Sequence, residues 1–321
     1  PTPTADRPQD LTDEEVATLN SLEQVDDYPL YTMHYLGSYD QRIASGVPAF
    51  AAVPPAWACT LFAAMGDTDR MVYGRNFDWD YSPALLLFTD PPDGYASVSM
   101  VDITYLGFGS RGARDLAGLP LEGRLALLYA PSIPFDGMNE RGLAVGMAAV
   151  PSEPMPVDPD RETIDSLLVI RRILDHAGDV DEAVAILQSY NIDWGGGPPL
   201  HYLIADRSGR AVLVEFYRGE MLLIPNQSPW HLATNFLLSA AGPKPAGNCW
   251  RYDLASRQLA ASAGRLSAQE AMGLLDEVSQ RRSTQWSIVY GMSSGDVSVS
   301  MGEQYQNPHT FRHCCTSATR Y

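Results

Sequence analysis

The stretch from Cys59 to Trp79 constrains the fold most. Two apolar, β-type runs, Thr60 to Ala64 and Met71 to Gly74, flank the turn Gly66-Asp67-Thr68-Asp69. Runs of this length and composition around a polar turn predict a β-hairpin, with Cys59 at its leading end and Arg75-Asn76-Phe77-Asp78-Trp79 on the returning strand. A hairpin nucleates an antiparallel sheet, and the rest of the chain agrees. His201 to Ala205, Ala211 to Phe216 and Met221 to Ile224 are short β-type runs split by Asp206-Arg207-Ser208-Gly209 and Arg218-Gly219, which predicts a meander. Trp286 to Tyr290 and Asp296 to Met301 predict a last hairpin.

Helices fall in separate blocks. Thr12 and Glu15 form a capping box, Leu11 and Val16 a hydrophobic staple, and Val16, Leu19, Leu22 and Val25 repeat at near-helical spacing. The stretch from Tyr28 to Tyr35 has strand composition, and Gly46 to Ala58 is a Pro/Ala-rich connection that stops at Cys59. Ile164 to Leu174 and Val180 to Leu187 are expected to form a helical pair, the second opened by Asp179. A helix from about Ala268 to Val278 is capped by Ser267 and Glu270. Segregated blocks of helices and antiparallel strands predict an α+β layered fold rather than a doubly wound parallel sheet.

Charge and composition exclude several function classes. The 321 residues carry 39 acidic against 22 basic side chains, a formal charge of -17, which repels a polyanion, so no nucleic-acid partner is expected. No apolar run approaches the roughly 20 residues that span a bilayer, so membrane contact is at most peripheral. Pro1-Thr2-Pro3-Thr4-Ala5-Asp6-Arg7-Pro8 reads as a stiff polar tether of the kind left by a removed export signal, which makes an extracellular or cell-envelope location the expectation and the cytoplasm the alternative. Cys59, Cys249, Cys314 and Cys315 match no common zinc spacing; no metal and no cofactor is expected, and the last three are read as buried small residues or one disulfide involving Cys249. Gly291-Met292-Ser293-Ser294-Gly295 has the nucleophile-elbow string but lies between two strands, and Gly195-Gly196-Gly197 lacks a following Lys-Ser/Thr, so neither is taken as a site. His309 and His313 are read as packed or solvated.

A cysteine with no evident His partner in sequence obtains a base if the chain is cut just before it. The freed α-amine titrates at about 7.7 to 8.0 and suits acceptance of a thiol proton. A nearby Arg favours the thiolate and a carboxylate orients the amine. Arg75 and Asp78 supply both types on the returning strand.

Cys59-Thr60 followed by Gly74-Arg75-Asn76-Phe77-Asp78-Trp79, with Arg75 sixteen positions after the cysteine, resembles the N-terminal-nucleophile amidases of the choloylglycine hydrolase superfamily. That group includes bile salt hydrolases, penicillin V acylases, acid ceramidase and N-acylethanolamine-hydrolysing acid amidase. Asp136-Gly137-Met138-Asn139-Glu140-Arg141-Gly142-Leu143-Ala144-Val145 is similar to the family's "G-x-N-E-x-G-L" turn, Thr234-Asn235-Phe236 to its "T-N" segment, and Arg251 stands where a further family arginine follows. The resemblance implies a four-layer α-β-β-α sandwich of two antiparallel sheets. It also implies cleavage between Ala58 and Cys59, giving a pro-segment 1–58, of the kind that acid ceramidase retains as a small subunit, and a catalytic domain 59–321. Cys59 would be nucleophile and, through its α-amine, base; Arg75 would tune the thiolate, Asp78 hold the amine, Asn235 donate to the oxyanion, and Arg251 complete the polar shell. Asn139, Met147 and Ala149 are carried over as substrate-binding positions.

Bile salt hydrolases usually carry an Asn after the "G-L-A-V" run, where this chain reads Gly146-Met147-Ala148-Ala149-Val150. The expected substrate is therefore a small-molecule N-acyl amide with an apolar acyl group rather than a conjugated bile salt, hydrolysed through a thioester. Leu85 to Phe88 and Tyr105 to Phe108 either line the acyl pocket or are simply core. Acyl transfer to an amine, or an unprocessed chain that binds amphiphiles without turnover, are the alternatives. The sequence leaves the oligomeric state open.

Overall fold

The computed structural model describes residues 11–44, 58–109, 115–242 and 245–313. The predicted tether, the connection before Ala58, and Cys314 and Cys315 lie outside the described residues.

Two sheets dominate the described residues. The larger has nine strands in the spatial order β1 (Glu23–Asp26), β2 (Leu30–Tyr35), β5 (Ala84–Thr89), β6 (Ser97–Asp102), β7 (Asp136–Asn139), β8 (Ala144–Ala149), β11 (Leu200–Ala205), β12 (Ala211–Tyr217) and β13 (Glu220–Pro225). The smaller has six: β14 (Trp230–Ala233), β3 (Ala58–Ala64), β4 (Val72–Asp78), β15 (Thr284–Gly291), β16 (Asp296–Met301) and β17 (His309–Arg312). Within these two sheets neighbouring strands are antiparallel except β2 and β5, which run parallel. Helices α3 (Leu168–His176) and α4 (Val180–Gln188) pack on the larger sheet, and α6 (Trp250–Ala261) and α7 (Ala268–Glu277) on the smaller. The sheets face one another through β3 against β8 and β12 against β14. This is the expected α-β-β-α sandwich.

Local signals explain several elements. Helix α1 (Asp13–Asn20) opens with the Thr12–Glu15 capping box, and α7 with that of Ser267 and Glu270, both with reciprocal bonds formed. The hairpin β3–β4 and the meander β11–β12–β13 form as predicted. Two expectations are corrected. Helix α1 ends at Asn20, so the apolar spacing that runs on to Leu22 and Val25 leaves the helix, and Val25 lies in strand β1. Ile164 is not in a helix: Glu162–Asp165 forms β9, which pairs in parallel with β10 (Tyr190–Asp193), and α3 begins only at Leu168. Helix α6 was not anticipated, because its N-cap, Cys249, makes no side-chain capping bond and its sequence mixes charged and small residues without a clean apolar stripe.

The segment before Cys59 is built into the same body. Leu19, Leu30, Tyr31 and Met33 are fully buried in the main core, the Leu19 carbonyl accepts a bond from Arg124 at 2.9 Å, and the Tyr39 hydroxyl donates to Asp175 at 2.7 Å. Strand β2 extends the larger sheet at β5, whose Leu85, Leu86 and Leu87 are fully buried. A second apolar cluster, including Phe62, Leu232, Leu259, Leu275 and Val289, lies around α6, α7 and the smaller sheet. At the close approach of the two sheets stands Gly146, where a Cβ would lie 2.8 Å from both Leu61 and the Tyr73 hydroxyl. A side chain there would have to displace the Leu61 methyl and the Tyr73 hydroxyl from the space between the sheets.

One buried acid gives a stability prediction. Asp102 caps the turn Ile103–Leu106, accepting from the Thr104 N–H at 2.9 Å and its hydroxyl at 2.7 Å. Burial pushes its pKa up to about 6, against the pull of the Thr104 bonds. A carboxyl whose folded pKa is raised above its unfolded value contributes stability that is fully present below the unfolded pKa and is lost as pH rises through the folded one. Asp102→Asn keeps an acceptor oxygen and removes the charge. The stability of the variant relative to wild type is expected to rise by about 2 to 3 kcal/mol between about pH 4 and pH 7. Urea unfolding at the two pH values measures it; a relative stability that does not change between them refutes the argument.

Candidate active site

The register of the first hairpin explains the spacing of its polar residues. Cys59 pairs with Phe77 and Leu61 with Arg75, so Arg75 is the diagonal neighbour of Cys59 on the same face. Its Nη2 lies 3.6 Å from the Cys59 Sγ. That face looks into the interior between the sheets, and Cys59 and Arg75 are both fully buried. Asp78 pairs with Ala58, which by strand alternation puts its side chain on the opposite face, toward the helices. There it accepts from the Thr284 hydroxyl at 2.5 Å and Gln280 Nε2 at 3.3 Å, and lies 3.6 Å from Arg251 Nη1.

Three groups hold the cysteine, one for each of its polar ends. Its N–H donates to Asn235 Oδ1 at 2.7 Å. Its carbonyl accepts from Arg251 Nη1, which also reaches the Thr60 hydroxyl at 3.0 Å. Its thiol faces Arg75. Arg251 Nη2 donates to Asn235 Oδ1 at 2.8 Å, and Asn235 Nδ2 donates to the Ala149 carbonyl at 2.9 Å. Met147 is also at the site, its Sδ 3.8 Å from Arg75 Nη2.

Asn139 is engaged elsewhere than at the cysteine. Its amide donates to the Leu174 and Ala177 carbonyls at 3.0 and 2.7 Å, and its Oδ1 accepts from the Arg141 and Leu143 N–H groups. All of its polar capacity serves the β7–β8 turn and the end of α3, so the structure does not bring it to Cys59.

Asp136, at the head of the β7–β8 hairpin, is a further residue of the site. Its carboxylate pairs with Arg75 Nη1 and accepts from the Tyr290 hydroxyl, with all three side chains fully buried. The signal was present in Phe135-Asp136-Gly137-Met138, a lone acid in an apolar run, which demands a buried partner. The Arg75 guanidinium also lies 5.2 Å from the Phe77 ring centre and 5.9 Å from that of Phe135.

This pairing limits what Arg75 does to the thiol. Burial pushes the Cys59 thiol up, and the Arg75 charge and hydrogen bond only partly oppose it, with Asp78 adding to the rise. Burial likewise pushes the Asp136 carboxyl up against the pull of Arg75 and Tyr290, and the Asp78 carboxyl up against Thr284 and Arg251. Much of the guanidinium charge is spent on Asp136. The thiol thus needs a base to become a nucleophile.

A fold of two facing sheets between helix layers, with a cysteine heading the first hairpin of the smaller sheet, defines the N-terminal-nucleophile hydrolase class. Residues 59–228 match the model of the linear amide C-N hydrolases, choloylglycine hydrolase family, and the chain belongs to that family. It is an amide hydrolase. Among solved structures it is similar to a conjugated bile acid hydrolase from Clostridium perfringens, at 15% identity and a TM-score of 0.58 over 79% of this chain and 92% of that one. It is also similar to penicillin V acylase from Agrobacterium tumefaciens, at 16% identity and 0.53 over 78% and 84%. The Caenorhabditis elegans ortholog of N-acylethanolamine-hydrolyzing acid amidase matches at 14% and 0.51 over 79% and 100%. At such identities the likeness is one of fold.

Proposed function

We propose that the chain is cut between Ala58 and Cys59 and then hydrolyses N-acyl amides with an apolar acyl chain through a Cys59 thioester. The carrying observation is that the nitrogen, carbonyl and thiol of one buried cysteine are each held by a different side chain, Asn235, Arg251 and Arg75. The family match opens on the same residue.

In the proposed reaction the freed α-amine takes the thiol proton, and the thiolate attacks the substrate carbonyl. Asn235 Nδ2 carries two hydrogens; one is engaged by Ala149, and the other is the donor for the oxyanion. Collapse breaks the C–N bond, the leaving amine takes the proton held by the α-amine, and the acyl group stays on sulfur. Water, deprotonated by the same α-amine, releases the acid and returns the thiol. Asp78 and Asn235 Oδ1 orient the amine, and Asp136 keeps Arg75 in place.

An apolar acyl group is favoured by the aromatic wall beside the cysteine. Phe77, the cross-strand partner of Cys59, stacks on Trp286 at 4.0 Å between ring centres and meets Phe135 edge-on at 5.3 Å. Tyr105 packs on Phe135 at 5.4 Å. Across a series of N-acyl amides, kcat/KM is expected to rise with chain length until the pocket is full, each buried methylene contributing about 0.8 kcal/mol, and to exceed that for taurocholate or penicillin V. Initial rates over the series measure this. A flat response or a preference for taurocholate overturns the substrate class, and capture of the acyl group by an added amine in place of water redirects the reading to acyl transfer.

A further inference from the structure

The segment that carries Asn235 is held from a second direction. After β14 the chain turns through residues 234–237 into the short helix α5 (Leu238–Ala241), whose N-cap, Leu237, has no side chain able to cap it. The first N–H groups of such a turn need acceptors from elsewhere. Glu215 of β12 supplies them. Its Oε1 accepts from the Leu238 N–H at 2.8 Å, and its Oε2 from the Ser239 N–H at 2.9 Å and the Ser239 hydroxyl at 2.6 Å. On the adjacent strand β11, His201 lies with Nδ1 3.3 Å from Oε1. Both side chains are fully buried, and His201 Nε2 has no hydrogen-bond partner among the described residues.

A buried carboxylate is costly unless its lone pairs are filled, and here they are filled almost wholly by the Asn235 segment. The consequence is mechanical. Asn235 Oδ1 ties the turn to Cys59 in the smaller sheet, while Asn235 Nδ2 and Glu215 tie it to β8 and β12 in the larger one. The carboxamide thus spans the gap between the sheets, with its backbone pinned only a few residues away.

The geometry points to His201 and Glu215 as a positioning pair that fixes the 234–239 turn and so aims the Asn235 carboxamide at the developing oxyanion. Neither touches Cys59; both act through Asn235. This inference rests on Asn235 as the oxyanion donor, and the experiment separates the two.

Glu215→Gln keeps the shape but turns one acceptor into a donor, which sets an N–H against Leu238, Ser239 or His201. Turnover is counted per mole of Cys59 acylated in the pre-steady-state burst, so that loss of folded protein drops out. The expected result is a fall in kcat of roughly 10- to 100-fold, with KM within about threefold and partial recovery in Glu215→Asp. In an Asn235→Ala background, Glu215→Gln is expected to add less than about threefold, because its route to the reaction is already gone. Unchanged kcat per acylated thiol in Glu215→Gln, or losses that multiply in the double variant, overturns the pairing. If Asn235→Ala alone leaves kcat unaltered, the oxyanion reading itself falls. Should Glu215→Gln give no soluble protein, Ser239→Ala removes only the hydroxyl bond; a drop in kcat of about two- to fivefold that vanishes in the Asn235→Ala background supports the inference, and no drop overturns it.

Discussion

Cys59→Ala is expected to abolish both turnover and chain cleavage while leaving the protein folded. Loss of a nucleophile that acts with its own base costs at least about 10⁴-fold in kcat. Without the thiol, neither the thioester nor the acyl shift from the Ala58–Cys59 peptide bond can form. The fold survives because Arg75 keeps its buried partner Asp136, so removing the sulfur strands no charge. The vacated space is one atom, worth about 1 kcal/mol of packing. Denaturing mass analysis is the measurement. The active wild type should give one fragment ending at Ala58 and another beginning at Cys59, and the variant a single uncut chain. Full activity from an uncut wild-type chain, or two fragments from the variant, would sink the mechanism.

Asn235→Ala is expected to lower kcat by roughly 100- to 1,000-fold, the usual loss for one oxyanion donor. The cost to stability is smaller, on the order of 1 to 3 kcal/mol, because the Cys59 N–H, Arg251 and the Ala149 carbonyl each lose one bond. Steady-state kinetics separate the roles. A raised KM with kcat within a few-fold would make Asn235 a substrate-binding residue and leave the oxyanion donor to be found elsewhere.

Residues that interact with near neighbours in the chain were legible. The capping boxes at Thr12 and Ser267 need only a side chain and an N–H three residues on, and both formed. The Cys59–Arg75 relation was readable because a hairpin converts sequence spacing directly into register. Where pairing was nonlocal, reading failed. Ile164 fits the apolar spacing of α3, and only the parallel alignment of β10, nearly thirty residues later, puts it in a strand. The bonds from the Asn139 carboxamide to the carbonyls of Leu174 and Ala177, at the end of α3, are likewise ones that no local pattern announces.

The sequence by itself determined the hairpin headed by Cys59, the period-two alternation that sends Arg75 and Asp78 to opposite faces, the α+β class, and the net acidic charge. These follow from steric and hydrogen-bonding rules acting over a few residues. The tertiary structure alone decided that Asp136 of one sheet neutralises Arg75 of the other, that Gly146 permits that approach, and that Glu215 holds the turn bearing Asn235. Such contacts join residues 23 to 154 positions apart when two sheets bury their facing surfaces together. The apolar pattern specifies that the faces will be buried, but only their packing selects which polar groups meet inside.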